Sequence, residues 1–382
     1  MNLRVSLRFA DDCLVPMGIL SSRDRDMLFE YDAGFFVRGM NPSPFRLPVT
    51  RGVHRYDRSG GMETFGVFDA SLPDGWGRRL VDSAFRKEHG RLPDVMERLA
   101  LVGGNGQGAL VYEPAADDGE KATDDGVALD LVRLAENAMS FDAGEDKRVL
   151  PELRQAGGSS GGARPKAFVG YNPKTGEMCP ERAVLPTGFE HWMVKFTTRT
   201  DGPDAGRREY EYYRMAMSVG ADMSESRLIE TSVGTFFATR RFDRTADGGR
   251  LHFASAASLL HADFRTPGDE YAVLFRLTDA LTHDYQAKKE LFRRTALNVL
   301  AHNRDDHLKN FGYLMDARGQ WRLAPFYDFT RAEGPNGWQT LSVAGEGRDP
   351  SADDLRRLAE EVWLAADDAD EIIAKVSEAV GS

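Results

Sequence analysis

Apolar side chains alternate through much of the first hundred residues, whereas from about residue 255 they recur every third or fourth position. LRVSLRF, MLFEYD and FFVRGM have the alternation and short length of strands. EYAVLFRLTDALTH and YQAKKELFRRTALNVLAHN carry helical spacing, and the tail from SADDL onward reads as two amphipathic helices. A chain that segregates strands from helices in this way is restricted to α+β folds or to separate domains. At 382 residues it exceeds one ordinary core, so two to three lobes are expected.

The middle of the chain sharpens that division. FGVFDASLPDGWGRRLVDSAFRKEHG reads as a strand and turn followed by a helix capped at Gly90. DVMERLALVGG is a second short helix. PAADDGEKATDDG, residues 114–126, is an acidic surface loop, with a helix after it. LRQAGGSSGGARPKAFVGY then opens a Gly/Ser loop onto a strand, and HWMVKFTT supplies another. RREYEYYRMAMSVGADM reads as a helix ending near Gly220. RLIETSVGTFFATRRFDR gives two more strand-like runs. FGYLMDARGQWRLAPFYDFT interrupts the helical region as a hairpin around DARG.

Composition narrows the function. The chain is 29% charged with a formal net charge of -11, which argues against gripping nucleic acid through a basic surface alone. Its two cysteines, Cys13 and Cys179, make neither a metal spacing nor a disulfide framework. Together with an N-terminus that lacks an apolar signal core and no membrane-length apolar run, they give the expectation of a cytoplasmic protein with no membrane contact.

The most chemical stretch is AHNRDDHLKNFGYLMD, residues 301–316. Asp305 follows an arginine and precedes Asn310 by five positions. That is the offset of a kinase catalytic loop, where a carboxylate meets the substrate hydroxyl and an amide oxygen holds Mg²⁺ nearby. A second metal ligand is then required beyond a short hairpin, and FYDFT offers Asp328, with Thr330 where kinases carry glycine. Upstream, ATP needs a backbone-rich loop and a strand lysine. GGSSGGARPKA and HWMVKF fit, with Lys166 beside the loop, Lys195 among apolar residues, and Glu209 and Glu211 on the next helix.

Other readings compete piece by piece. GGSSGG has the composition of a flexible linker. Lys195 can snorkel from an edge strand. His302, Asp305 and His307 can ligate a divalent metal for hydrolysis. Trp76 and Trp192 read as packing residues.

Taken in order, SLPDGWGRRL, GGSSGGARPKA, HWMVKF, EYEYYRMAMSVGA, RRFDR, NRDDHLKN and LAPFYD resemble the HipA-type serine/threonine kinases, toxins of two-gene toxin–antitoxin systems. The resemblance runs over roughly residues 65–330. It implies an α+β, protein-kinase-like bilobal fold with an additional β-rich N-terminal subdomain and an all-helical C-terminal lobe. The expected domains are 1–113, a linker at 114–144, an ATP-binding lobe at 145–250 and a helical lobe at 251–382.

By motif position, the resemblance makes Asp305 the catalytic base, and Asn310 and Asp328 the Mg²⁺ ligands. Lys166 and Lys195 contact ATP phosphates under the loop of Ser159, Ser160, Gly161 and Gly162. The backbone from Arg240 to Phe242 lines the adenine. Ser159, or the adjacent Ser160, is the expected self-phosphorylation site, and added charge there should eject the loop and silence the enzyme. Glu211, His307 and Lys309 are supporting candidates: Glu211 as the partner of Lys195, and His307 bracing the loop by hydrogen bonding. The implied cofactors are ATP and Mg²⁺. The implied partners are a small helix-turn-helix antitoxin, DNA only through that antitoxin, and a protein substrate with aminoacyl-tRNA synthetases the leading class. The competing function is a kinase-shaped co-repressor that binds its antitoxin and catalyses little.

Overall fold

The computed structural model describes residues 1–382 except 59–60, 117–128, 145–152, 154–161, 163, 199–200, 203, 246, 264–267 and 382. The chain is an α+β protein that divides into two compact units. The first comprises Met1–Arg207, Glu225–Phe253 and Asp316–Gly319; the second comprises Arg208–Ser224, Ala254–Met315 and Gln320–Ser382.

Two antiparallel five-stranded sheets build the first unit. The first sheet has the order β4-β3-β2-β1-β5, from β1 (Asn2–Ala10), β2 (Cys13–Arg23), β3 (Asp26–Tyr31), β4 (Val53–Asp57) and β5 (Leu110–Glu113). Alternation is clear in β1, where Leu3, Val5, Leu7 and Phe9 are buried. β2 is obscured in the sequence by Pro16 and Gly18, which demote a strand reading. Gly18 is required there, because a Cβ would sit 2.6 Å from the Phe29 ring.

Two sequence expectations differ in this sheet's surroundings. FFVRGM is not a strand: Phe36–Arg38 is a 3-10 turn. Asp32 accepts the Gly34 N–H at 2.8 Å, which curls the chain before pairing can begin. The FGVF run is a short helix, α1 (Gly66–Asp69), because a continuous apolar run carries no period to separate strand from helix. Next come α2 (Gly75–His89), with Asp74 capping its start and Gly90 at φ 71° ending it, and α3 (Val95–Val102), which opens on an Asp94–Glu97 capping box.

The second sheet runs β7-β6-β8-β10-β9, from β6 (Lys166–Tyr171), β7 (Met178–Pro180), β8 (Glu190–Lys195), β9 (Ser226–Thr231) and β10 (Gly234–Arg240). Its core joins Val169, Trp192, Val194 and Phe236 to Trp76 and Leu80 of α2 and to Leu134 and Ala138 of α4 (Leu131–Asp142). Trp76 and Trp192 are fully buried packing residues. α5 (Ala205–Ser218) leads from the first unit into the second, and β11 (His252–Ser255) does so again.

Helices dominate the second unit: α6 (Ala256–Leu260), α7 (Tyr271–Thr282), α8 (Tyr285–Leu300), α9 (Ala352–Glu361) and α10 (Ala366–Gly381). The hairpin expected around DARG is present as β12 (Gly312–Met315) and β13 (Trp321–Leu323), so this half is mainly rather than wholly helical. The core gathers Leu274, Phe275, Leu291, Phe292, Leu355, Ile372 and Val376. Among the described residues, no helix is long and apolar enough to cross a membrane.

Candidate active site

Lys166 and Lys195 are direct partners in the antiparallel pairing of β6 with β8, so their side chains leave the same face of the sheet. They are only 7% and 8% exposed. Like charges set opposite each other in a buried row are unfavourable without compensating negative charge. β8 lies between β6 and β10, which removes the edge-strand reading of Lys195. Phe237 continues the row, with the Lys195 ammonium 5.7 Å from its ring centre. Gly162 closes one side: at φ 86°, a Cβ there would meet the Lys166 ammonium at 2.6 Å. Its carbonyl accepts the Trp76 N–H at 3.0 Å, fixing the loop's end to α2. Ser159, Ser160 and Gly161 lie outside the described residues.

The expected adenine strand ends in a buried ionic cluster. Arg240 is exposed, and its N–H donates to the Glu225 carbonyl at 2.8 Å. The Arg241 N–H donates to the His191 carbonyl at 2.9 Å. Two backbone donors of the Arg240–Phe242 stretch are therefore engaged within the protein. Phe242 packs on Phe253, ring centres 5.7 Å apart. The next turn is governed by Asp243, which is 2% exposed. It accepts from the Arg241 guanidinium at 3.0 and 2.8 Å, from Arg244 at 2.8 Å and from the Gly108 N–H at 2.7 Å. Arg241 also binds Glu181 at 2.9 Å, while Arg244 donates to the Gly106 carbonyl at 3.1 Å and Arg250 to that of Gly104 at 2.6 Å. Burial pushes the Asp243 carboxyl up, but Arg241 and Arg244 pull it further down, well below the usual carboxylate range.

In the second unit, successive side chains of the polar loop point in opposite directions. The Asp305 side chain is 61% exposed, and Asp306 is 0% exposed. His307 Nε2 lies 3.7 Å from Asp305, an ion-pair distance. Leu308 inserts into the core, and a 3-10 turn at Leu308–Asn310 brings the amide back. Asn310 Nδ2 donates to the Asp305 carbonyl at 2.7 Å, which turns Oδ1 away from it as an acceptor. Lys309 is half-buried, and its carbonyl accepts the Tyr327 hydroxyl at 2.7 Å, tying the loop to the residue before Asp328.

Asp328 is exposed, with left-handed backbone at φ 57°. Its flanks fix it. Phe326 and Phe329 are buried 5.0 Å apart, Arg294 lies over Phe326, and Arg294 donates to the Ala324 carbonyl at 2.7 Å. Tyr212 of α5 packs on Phe329 and donates to the Ala301 carbonyl at 3.0 Å. On that helix Glu209 is 5% exposed and Glu211 is exposed. The buried glutamate is thus Glu209, not Glu211, the residue expected to serve Lys195. His302 is exposed, and among the described residues no three His, Cys, Asp or Glu side chains gather as a metal site, so the hydrolase ligand set does not assemble there.

The role of Asp306 had no sequence signal. Its Oδ2 accepts from Tyr271 at 2.5 Å and Gln339 at 2.9 Å; its Oδ1 accepts the N–H groups of Thr340 at 2.9 Å and Leu341 at 3.4 Å. Burial raises its carboxyl to about 6, against the pull of those donors. Tyr271 also receives Asn298, which in turn receives Asn303 at 2.9 Å.

The HipA N-terminal domain model matches residues 14–113, and the HipA-like C-terminal domain model matches residues 158–382. The chain belongs to the HipA family. Its fold is similar to a chain of the Shewanella oneidensis MR-1 toxin–antitoxin complex of HipA, HipB and operator DNA, with a TM-score of 0.71 and 17% identity over 99% of this chain and 90% of that one. A Helicobacter pylori proinflammatory kinase, CtkA, is also similar, at 13% identity over 51% of this chain and 88% of that one. Its TM-score of 0.33 is too low to define the fold. The HipA resemblance read from SLPDGWGRRL through LAPFYD thus holds at the level of family and fold.

Proposed function

We propose that this HipA-family chain is an ATP- and Mg²⁺-dependent serine/threonine kinase that acts on a protein hydroxyl, the toxin of a toxin–antitoxin pair. The observation that carries the reading is the pair of opposed, buried lysines, Lys166 and Lys195, with Gly162 close against the Lys166 ammonium, residue types that serve phosphate oxygens in a nucleotide site. ATP with Mg²⁺ supplies the transferable phosphoryl group and the charge neutralisation. Lys166 and Lys195 hold phosphate oxygens. Asn310 Oδ1 and Asp328 fit Mg²⁺, which takes one or two protein oxygens and leaves its other positions to water and phosphate. Asp305, exposed at the loop's tip, accepts the proton of the substrate hydroxyl at a carboxylate oxygen. The substrate class suggested by the family is the aminoacyl-tRNA synthetases, and Ser159 or Ser160 is the site of self-silencing.

The partner reading extends from the Shewanella complex: a small DNA-binding antitoxin holds this chain, and DNA is reached through it. The acidic net charge of -11 suits a basic partner. A kinase-shaped co-repressor needs the same partner but no transfer.

Intact mass after incubation with ATP and Mg²⁺ tests the reading, on wild type and on Asp305→Ala. The expected result is one added phosphate in the wild type alone, mapped to Ser159 or Ser160. Equal labelling of Asp305→Ala would sink it, because base and metal geometry account for several orders of magnitude in rate. A chain already phosphorylated on purification would be heavy at the start, and a co-repressor would bind its antitoxin without gaining mass.

A further inference from the structure

We propose that Asp306 is a positioning residue that latches the segment 330–341 onto the loop 302–310, so that loop and segment form one preassembled body. The four donors to Asp306 all come from outside the loop, and none carries a charge: Tyr271 on α7, Gln339, Thr340 and Leu341. Their fixed positions therefore set the carboxylate's place.

A second set of bonds runs parallel to the first. The Ala332 N–H donates to the His302 carbonyl at 3.2 Å, and the Arg304 N–H returns to Ala332 at 3.1 Å. Thr340 Oγ1 donates to the Arg304 carbonyl at 2.9 Å, and the Arg304 guanidinium donates to the Gly337 carbonyl. Gly334 makes the close approach: at φ 67°, a Cβ would stand 2.6 Å from Arg304 Cβ. Asp305 and Asn310 lie in the loop, and the segment begins two residues after Asp328. The latch therefore fixes the proposed base and both metal ligands relative to one another. A misplacement near 1 Å among such groups costs about 100-fold in rate.

The inference rests on the kinase reading for its catalytic half, and its structural half is read separately. Amide hydrogen exchange and steady-state kinetics are measured on wild type, Asp306→Asn and Gly334→Ala. Thr340 and Leu341 are expected to exchange about tenfold or more faster in Asp306→Asn, with amides of α9 and α10 unchanged. In both variants kcat should fall by about 100-fold, with KM for ATP held within about twofold. Unchanged exchange at Thr340 and Leu341 in Asp306→Asn overturns the latch. So does freed exchange with kcat intact. Should Asp306→Asn not fold, Gly334→Ala, which removes no hydrogen-bonding group, decides by the same two readouts. If the wild type transfers no phosphate at all, the kinase reading fails by itself, and exchange still decides whether the latch exists.

Discussion

Asp243 and Asp306 are the same residue type at nearly the same depth, yet they are held by opposite means. Asp243 sits among Arg241 and Arg244, which keep it charged and use it to grip the carbonyl-rich Gly104–Gly108 loop. Asp306 receives only neutral donors, and burial dominates. The first arrangement supplies strength to a loop with few side chains of its own. The second supplies direction, fixing which backbone N–H faces which oxygen. One buried aspartate of the unit with the paired lysines is thus braced by charge, and one of the unit with Asp305 by neutral hydrogen bonds.

The largest test of that contrast is Asp243→Asn. It removes the carboxylate charge shared by two buried guanidiniums, leaving Arg241 with Glu181 and Arg244 with backbone carbonyls, and should destabilise the chain by about 3–5 kcal/mol in denaturant unfolding. Next comes pH. Asp306 has its carboxyl at about 6 in the fold against an ordinary 3.8. Between those values the folded state keeps a proton that the unfolded chain releases. Wild-type stability should therefore fall, relative to Asp306→Asn, as pH rises from about 4 to about 6, and then level off. The change is on the order of 3 kcal/mol. Asp243 has the reverse sign: its contribution is present at neutral pH and is lost only as pH falls through the acid range below 3.8. The smallest effect is Tyr271→Phe, which removes the hydroxyl that donates to Asp306 and accepts from Asn298 and should cost about 1–3 kcal/mol. If Asp243→Asn costs no more than Tyr271→Phe, the contrast between charge and geometry fails.

What the sequence made legible was local. The loop that carries Asp305 and Asn310, the strands that carry Lys166 and Lys195, and the DARG hairpin are written in neighbouring positions, where spacing alone places them. Gly90 and Gly220 end their helices with left-handed backbone, as the sequence expects. The latch was illegible because the partners of Asp306 come from residues 271 and 339–341, brought together only by packing. Glu209 and Glu211 lie on one helix, two positions apart, and only burial separates them. FFVRGM alternates well enough for a strand, and one Asp32 side-chain hydrogen bond overrides it.

The opposed lysines carry a consequence for the lifetime of the protein. A nucleotide held there, as the proposed function has it, would bind the folded chain and not the unfolded one. Melting temperature should therefore climb with the concentration of nucleotide, by mass action. Proteases cut chains in proportion to how often they open. An empty molecule would be consumed sooner than an occupied one, so the supply of ligand would set how long each copy survives as well as how fast it works.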